Sequence, residues 1–337
     1  MKERVIDKAG HLPQHDILWV ATVRKARAWV GPKGRTPFRP YIILVMDALA
    51  DRIRQSKLLE ERPDPEAVFS VFLDAMRNPV AGSGRRMRPT RIILDVADLA
   101  QLLASPLAEI GVICTYQPDL PLIEDALRGL EQRLSRDDPR PSLLSVKGVT
   151  RMLLEELFSA AGYFYQEAPW REIDDSYVFE VRYPTQAPPT YAVIMGNAGI
   201  EYGIASYPTL EDARLQYSDL KPHEIYKKIT TVSLTFGEPT CMTFDDLDAI
   251  EKYNWQIVSP TAYPLLMKII PPRKVGVPTA SEIILTAAAM RTVPQFVARH
   301  MRTATGPYQA AQENFLLSAI YGEVSIGLKY PVGLWES

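Results

Sequence analysis

The sequence predicts two folded parts of different class: an α/β first half, then an α+β second half with a mostly antiparallel sheet. Three observations predict this. Short β-rich apolar runs alternate with amphipathic helical stretches as far as residue 134. Beyond it, β-branched runs follow one another around a Gly-containing turn, with capped helices set between them. Between the halves, residues 135–142 (SRDDPRPS) are charged, contain Pro and lack periodicity.

Residues 1–16 are polar, carry Pro13 and read as an arm. Residues 17–24 (ILWVATVR) are β-rich, and the loop 31–40 (GPKGRTPFRP) has turn chemistry. Residues 41–46 form a continuous apolar run ending in Asp47, the pattern of a strand buried on both faces. A short strand is expected over 50–56. Asp64 at the N-cap and Pro65 at the first helical position start a helix. Val68, Phe69, Phe72, Ala75 and Met76 recur in it at helical spacing until Asn78 and Pro79. The loop 81–91 leads to a strand at 92–94 ending in Asp95, a helix over 96–110, a strand at 112–115 and a helix over 121–134. That last helix has an apolar stripe of Ile123, Ala126, Leu127, Leu130 and Leu134. The expected division is an arm (1–16), an α/β domain (17–134), an exposed linker (135–147) and an α+β domain (148–337).

The second domain opens with a helix over 149–161, closed by Gly162 as its C′ residue. Strands follow at 177–182 and 190–195, the latter joined by the turn GNAG to 201–207 as a hairpin. Thr209 with Asp212 and Thr243 with Asp246 are N-terminal cap signals, and Thr279 with Glu282 is the best capping box in the chain. Strands are expected at 230–236, 265–270 and 323–330, where Val324, Ile326, Leu328 and Tyr330 share a face. Pro294 ends or kinks the helix that begins after Thr279, and 295–301 continues it.

Composition limits function. In 337 residues, 47% are apolar and 23% charged, and the net charge of -2 argues against a uniformly basic nucleic-acid binder. The longest apolar run, 41–46, is far short of a bilayer span, so no membrane is expected. The first ten residues lack the apolar core of a secretory signal. Cys114 and Cys241 form no Cys-x-x-Cys, which argues against a zinc site or disulfide framework and for a reducing cytoplasm. Cys114, in an apolar run, reads as a buried inert thiol. Charge is uneven: residues 1–91 hold 18 Lys/Arg and 10 Asp/Glu, the remainder 20 and 30. That asymmetry fits either an anionic partner or the docking of one domain on another.

The order strand, strand, short strand, helix, strand, helix, strand, helix over 17–134 resembles the RNase H-like fold of integrases, transposases and related nucleases. The resemblance implies carboxylates on the first strand, at the end of the fourth strand and on the last helix, together holding two divalent metals. Carried onto this chain, it places Asp95 at the end of the fourth strand and Glu124 or Asp125 on the last helix. On the first strand Thr22 stands where an Asp is expected, with Asp16 and Asp47 as displaced substitutes. A neutral hydroxyl supplies no anionic oxygen, so the resemblance implies a catalytically silent version of the fold.

The chain also resembles bacterial two-domain proteins of unknown function. The resemblance is carried by the Asp64-Pro65-Glu66 helix start, Ala168-Pro169-Trp170, Met195-Gly196-Asn197-Ala198-Gly199 with Tyr202-Gly203, and Asn254-Trp255 followed by Ala262-Tyr263-Pro264.

Each candidate site has a plainer reading beside it. Asp95 with Glu124 or Asp125, and Asp47 or Asp16, form a residual acidic site. Alternatively, Asp95 caps the helix after it, Glu124 or Asp125 complements a helix N-terminus, and Glu124 pairs with Arg128. Lys33, Arg35 and Arg39 on one loop, with Arg85, Arg86, Arg88 and Arg91 on another, form an anion-binding patch if the loops meet; otherwise they are solvated loops. His11 and His15 flank Pro13 and make a poor ligand pair, and His223 and His300 stand isolated. Asp245, Asp246 and Asp248 fall in a helix first turn, where carboxylates are stabilising. Trp170 and Trp255 read as buried aromatics or exposed partner anchors. The expectation is a non-enzymatic cytoplasmic binding or accessory protein with no cofactor, an unidentified protein partner, and nucleic acid as a further partner through loops 31–40 and 82–91. The alternative is a divalent-metal-dependent nuclease or its nucleic-acid-binding relic.

Overall fold

The computed structural model describes residues 8–31, 34–134, 140–173, 177–272, 274–301, 310–319 and 322–333. The chain divides into two compact units, residues 1–137 and 138–337.

The first unit is built on a five-stranded mixed sheet in the order β3-β2-β1-β4-β5. Its strands are β1 (Gln14–Lys25), β2 (Tyr41–Asp47), β3 (Arg52–Leu59), β4 (Arg88–Leu94) and β5 (Ile113–Tyr116). β2 runs antiparallel to β1 and to β3, while β4 runs parallel to both β1 and β5. This arrangement is broadly compatible with the RNase H-like order. α1 (Pro65–Arg77) and α2 (Ala97–Ala108) share one core with Trp19, Ala21, Val23, Ile43, Val45, Ile92 and Leu94. α3 (Pro121–Leu134) supplies the other, with Val20, Ile42, Leu44 and Met46. Residues of β1 and β2 therefore alternate between two apolar layers, which is why 41–46 reads as an unbroken apolar run. Asp64 caps α1, its Oδ1 accepting from the Ala67 N–H at 2.7 Å. Asp95 does not cap α2: that helix starts at Ala97 behind Val96, without a side-chain cap.

The second unit holds an eight-stranded antiparallel sheet, in the order β11-β10-β9-β8-β7-β6-β13-β12. The strands are β6 (Tyr177–Arg182), β7 (Thr190–Met195), β8 (Gly203–Tyr207), β9 (Thr231–Gly237), β10 (Tyr263–Ile270), β11 (Lys274–Gly276), β12 (Ala311–Ala319) and β13 (Gly322–Gly333). The helices are α4 (Arg151–Glu167), α5 (Leu210–Gln216), α6 (Pro222–Ile225), α7 (Phe244–Tyr253) and α8 (Ala280–His300). α4 packs along α8, tied by Arg291 Nε to Glu156 Oε1 at 2.8 Å and Arg291 Nη2 to Ser159 Oγ at 2.6 Å. Phe296 of α8 meets Phe179 edge-on, and Phe179 stacks on Tyr330. Val178, Val193, Ala205 and Tyr207 join Ala213, Ile225 and Ile229 in a separate cluster.

The structure differs from the sequence reading in further places. Gly162 lies inside α4, where its missing side chain lets Val258 approach; the left-handed residue that ends the helix is Ala168, with φ 48°. α8 runs through Pro294 as one helix, so the expected continuation beyond it is present and the helix end at that residue is not. β12 falls where no strand is expected. Residues 142–145 are no exposed linker: Ser142 and Leu143 are buried and bonded to Asp246, Oδ1 accepting from Ser142 Oγ at 2.7 Å and Leu143 N at 2.9 Å. Residues 135–139 lie outside the described residues. The capping box of Thr279 and Glu282 is present in full. No helix among the described residues is long and apolar enough to cross a membrane.

Candidate functional site

Two of the five candidate carboxylates meet, and an arginine meets them. Pleating sends alternate β1 residues to opposite layers, so Thr22 and Arg24 follow Val20 to the α3 side. Asp95 ends β4 next to them, its N–H bonded to Ala21 O. Arg24 Nη2 donates to Glu124 Oε1 on α3 at 2.7 Å and lies 4.0 Å from Asp95 Oδ2. Burial raises the Asp95 pKa, opposed by the neighbouring Thr22 hydroxyl and by Arg24. The Thr22 hydroxyl favours the charged carboxylate without closing a hydrogen bond of ordinary geometry. Thr22 Oγ1, Asp95 Oδ1 and Arg24 Nε are all buried without a partner among the described residues.

The other three carboxylates lie elsewhere. Asp125 turns out to solvent and pairs with Arg128 at 3.2 Å, so the expected Glu124–Arg128 pair is replaced by Glu124–Arg24. Asp47 pairs with Trp19 in register, on the opposite layer from Thr22, and accepts the Leu49 and Ala50 N–H groups at 3.1 and 2.9 Å. Asp16 lies about 20 Å back along β1, where Thr90 Oγ1 donates to it at 3.1 Å. Among the described residues no group of three or more His, Cys, Asp or Glu is placed to hold a metal ion. The divalent pair implied by the resemblance does not fit here. Two carboxylates are already neutralised by a guanidinium, and the third position offers a neutral hydroxyl.

The two basic loops sit at opposite ends of β1. Lys25 pairs with Tyr41 beside the 31–40 loop, whereas Gln14 pairs with Arg88 beside the 82–91 loop. Eleven residues of strand separate them, about 35 Å, so the loops do not form one patch. Lys33 lies outside the described residues. Arg35 is exposed, and Arg39 Nε donates to Ala26 O at 3.2 Å. Arg88 is structural: its guanidinium donates to the Leu12 and Ile110 carbonyls. Arg85, Arg86 and Arg91 are exposed.

Sequence reasoning missed Arg54. Fully buried, it lies 4.8 Å over the Trp19 ring and donates to Ser83 O at 2.6 Å, Arg85 O at 2.8 Å and Ala75 O at 3.2 Å. Burial lowers its pKa and the Asp47 charge opposes that. The only sequence signal was a cation on the same strand face as Arg52 and Ser56, a pattern that ordinarily marks a solvent face.

In the second unit, two of the stretches carrying the two-domain resemblance, 168–170 and 195–203, come together. Tyr165, Trp170, Gly196, Asn197, Tyr202 and Val258 line one concave surface. Trp170 is 6% exposed and packs against Phe164, Tyr165 and Tyr202. A side chain at Gly196 would place its Cβ 2.7 Å from Trp170 Cγ and Tyr202 Cδ1. Trp255 stacks on Phe158 at 4.9 Å between ring centres. Both tryptophans are therefore core residues. Asp246 does more than complement its helix: besides the 142–143 segment it accepts from Thr243 Oγ1 at 2.7 Å. His300 is not isolated, since its Nε2 lies 2.8 Å from Glu313 Oε2.

Fold and site together define a two-domain protein. Its α/β first domain carries an arginine-filled carboxylate cluster, and its second domain is an antiparallel α+β sheet. Residues 6–131 match the family described as domain of unknown function DUF6930, and residues 155–317 match that described as domain of unknown function DUF7309. In a comparison with curated proteins, none matches the chain.

Proposed function

We propose that this chain is a non-enzymatic binding or accessory protein of the cytoplasm. Its first domain keeps an RNase H-like frame in which Arg24 stands where a divalent cation would sit. One observation carries the reading: Arg24 Nη2 lies 2.7 Å from Glu124 and 4.0 Å from Asp95. A covalently supplied cation neutralises both carboxylates without hydrated metal, and it occupies the space in which a scissile phosphate would be activated. Free Cys114 and Cys241 support a reducing compartment. The division into a first domain over 17–134 and a second over 148–337 belongs to this reading and is supported by two compact units that part between residues 137 and 138. The partner is a protein, with nucleic acid as a second partner through the 82–91 loop, whose exposed Arg85 and Arg86 support it.

The test is a cleavage assay of the intact chain on single- and double-stranded nucleic acid with Mg²⁺ and with Mn²⁺. No cleavage is expected. Cleavage in Mn²⁺ that Asp95→Asn abolishes would overturn the proposal and restore the nuclease alternative, with Asp16 or Asp47 as the displaced third ligand.

A further inference from the structure

The loop between α1 and β4 is organised from beneath. Gly82 and Gly84 take left-handed φ values of 84° and 106°. The buried Ser83 between them donates from Oγ to Val80 O at 2.7 Å. Under the loop, the Arg54 guanidinium gathers the Ser83 and Arg85 carbonyls at 2.6 and 2.8 Å.

A trans peptide holds each carbonyl antiparallel to the N–H of the next residue. Drawing the Ser83 carbonyl towards Arg54 therefore turns the Gly84 N–H away from it. Drawing in the Arg85 carbonyl does the same to the Arg86 N–H. Neither N–H meets an acceptor among the described residues, and Gly84, Arg85 and Arg86 are all exposed. The Arg85 and Arg86 side chains have no carboxylate partner among the described residues. A solvated basic loop would offer mobile side chains only. Here a buried cation fixes the main chain so that two amides and two guanidiniums are left to solvent on a three-residue stretch.

We propose that residues 84–86 bind a single phosphate group, held by the Gly84 and Arg86 N–H groups and the guanidiniums of Arg85 and Arg86. Glycine is required at 84, since its φ is left-handed and a Cβ there would lie 3.0 Å from Arg54 Nη1. The site is at the other end of β1 from Arg24; it rests on the reading of the 82–91 loop as an anion-binding loop and not on the Arg24 reading, which the cleavage assay tests separately. The phosphate comes either free or as part of a nucleic-acid backbone.

The test follows backbone amide resonances of the ¹⁵N-labelled intact chain at low ionic strength. Inorganic phosphate and a short single-stranded oligonucleotide are titrated separately. At least one is expected to shift the Gly84 and Arg86 amides. Phosphate alone doing so identifies a free-phosphate site; the oligonucleotide alone identifies a backbone site. Arg85→Gln with Arg86→Gln is expected to weaken binding about tenfold or more, the loss that follows removal of charge-assisted hydrogen bonds. Both changes are at exposed side chains, and an otherwise unchanged spectrum verifies the fold. The proposal is overturned if neither titrant moves these two amides, if the oligonucleotide binds while they stay still, or if the double variant binds as well as the parent.

Discussion

Replacing Asp246 by alanine is expected to destabilise the second unit far more than any neighbouring acidic substitution. The side chain sits in a residue 6% exposed and receives three hydrogen bonds, from Ser142 Oγ, Leu143 N and Thr243 Oγ1. Alanine leaves the Leu143 N–H and the Ser142 hydroxyl without their acceptor. Each buried donor so orphaned costs about 1–3 kcal/mol, and the Thr243 hydroxyl reorients at little cost, giving about 3–4 kcal/mol in all. Asp246→Asn keeps the oxygen that serves residues 142 and 143 but loses charge and the bond from Thr243, for about 1–2 kcal/mol. Asp245, exposed in the same first turn, supplies the control. Its replacement by alanine removes a helix-terminal charge and a solvent-exposed side-chain interaction, within about 1 kcal/mol. Urea unfolding of the intact chain, followed by tryptophan fluorescence, gives the three values. If Asp246→Ala and Asp245→Ala fall within 1 kcal/mol of each other, Asp246 is acting as a helix-end charge and the clasp argument fails.

Two further substitutions test the domains separately. The Asp95 pKa is raised in the folded chain, so folding favours its protonated form, and that contribution is lost as pH rises from the unfolded value near 3.8 through the folded one. Asp95→Asn should therefore raise the melting temperature at neutral pH, with the gain shrinking to nothing in acid; equal melting temperatures at pH 7 would refute it. Gly196→Ala must displace Trp170 or Tyr202 and is expected to cost about 2 kcal/mol or more, with loss of near-ultraviolet aromatic signal. An unchanged melting temperature would show that the turn yields freely.

Local chemistry was the legible part. Asp64-Pro65 and Thr279 with Glu282 announce helix starts because the capping hydrogen bonds are made within four residues. The run 41–46 announces a two-sided strand because both its faces meet apolar layers. β12 was not legible: as an edge strand it alternates little, with Glu313 engaged by Arg299 and His300 and Leu316 left exposed. Gly162 misled because the same residue type serves helix ends and close packing, and only Val258, distant in sequence, decides between them. The site was half legible. Asp95 and Glu124 follow from element ends, but Arg24 lies two residues beyond Thr22. That its head reaches both carboxylates depends on how α3 crosses the sheet.

The strand order of the second unit also fixes when it can form during synthesis. β6 is the first of its strands to be made, yet one of its two neighbours is β13, with Val181 opposite Leu328. Until residues 322–333 have left the ribosome, β6 carries an open hydrogen-bonding edge, and Phe179 lacks the Tyr330 ring that stacks on it at 4.5 Å. In the first unit, β1 acquires both neighbours once β4 is complete, at Leu94. The nascent chain therefore carries a finished first domain ahead of a second one with an unpaired strand. Through that interval the second half is exposed to wrong strand pairing and to chaperone capture.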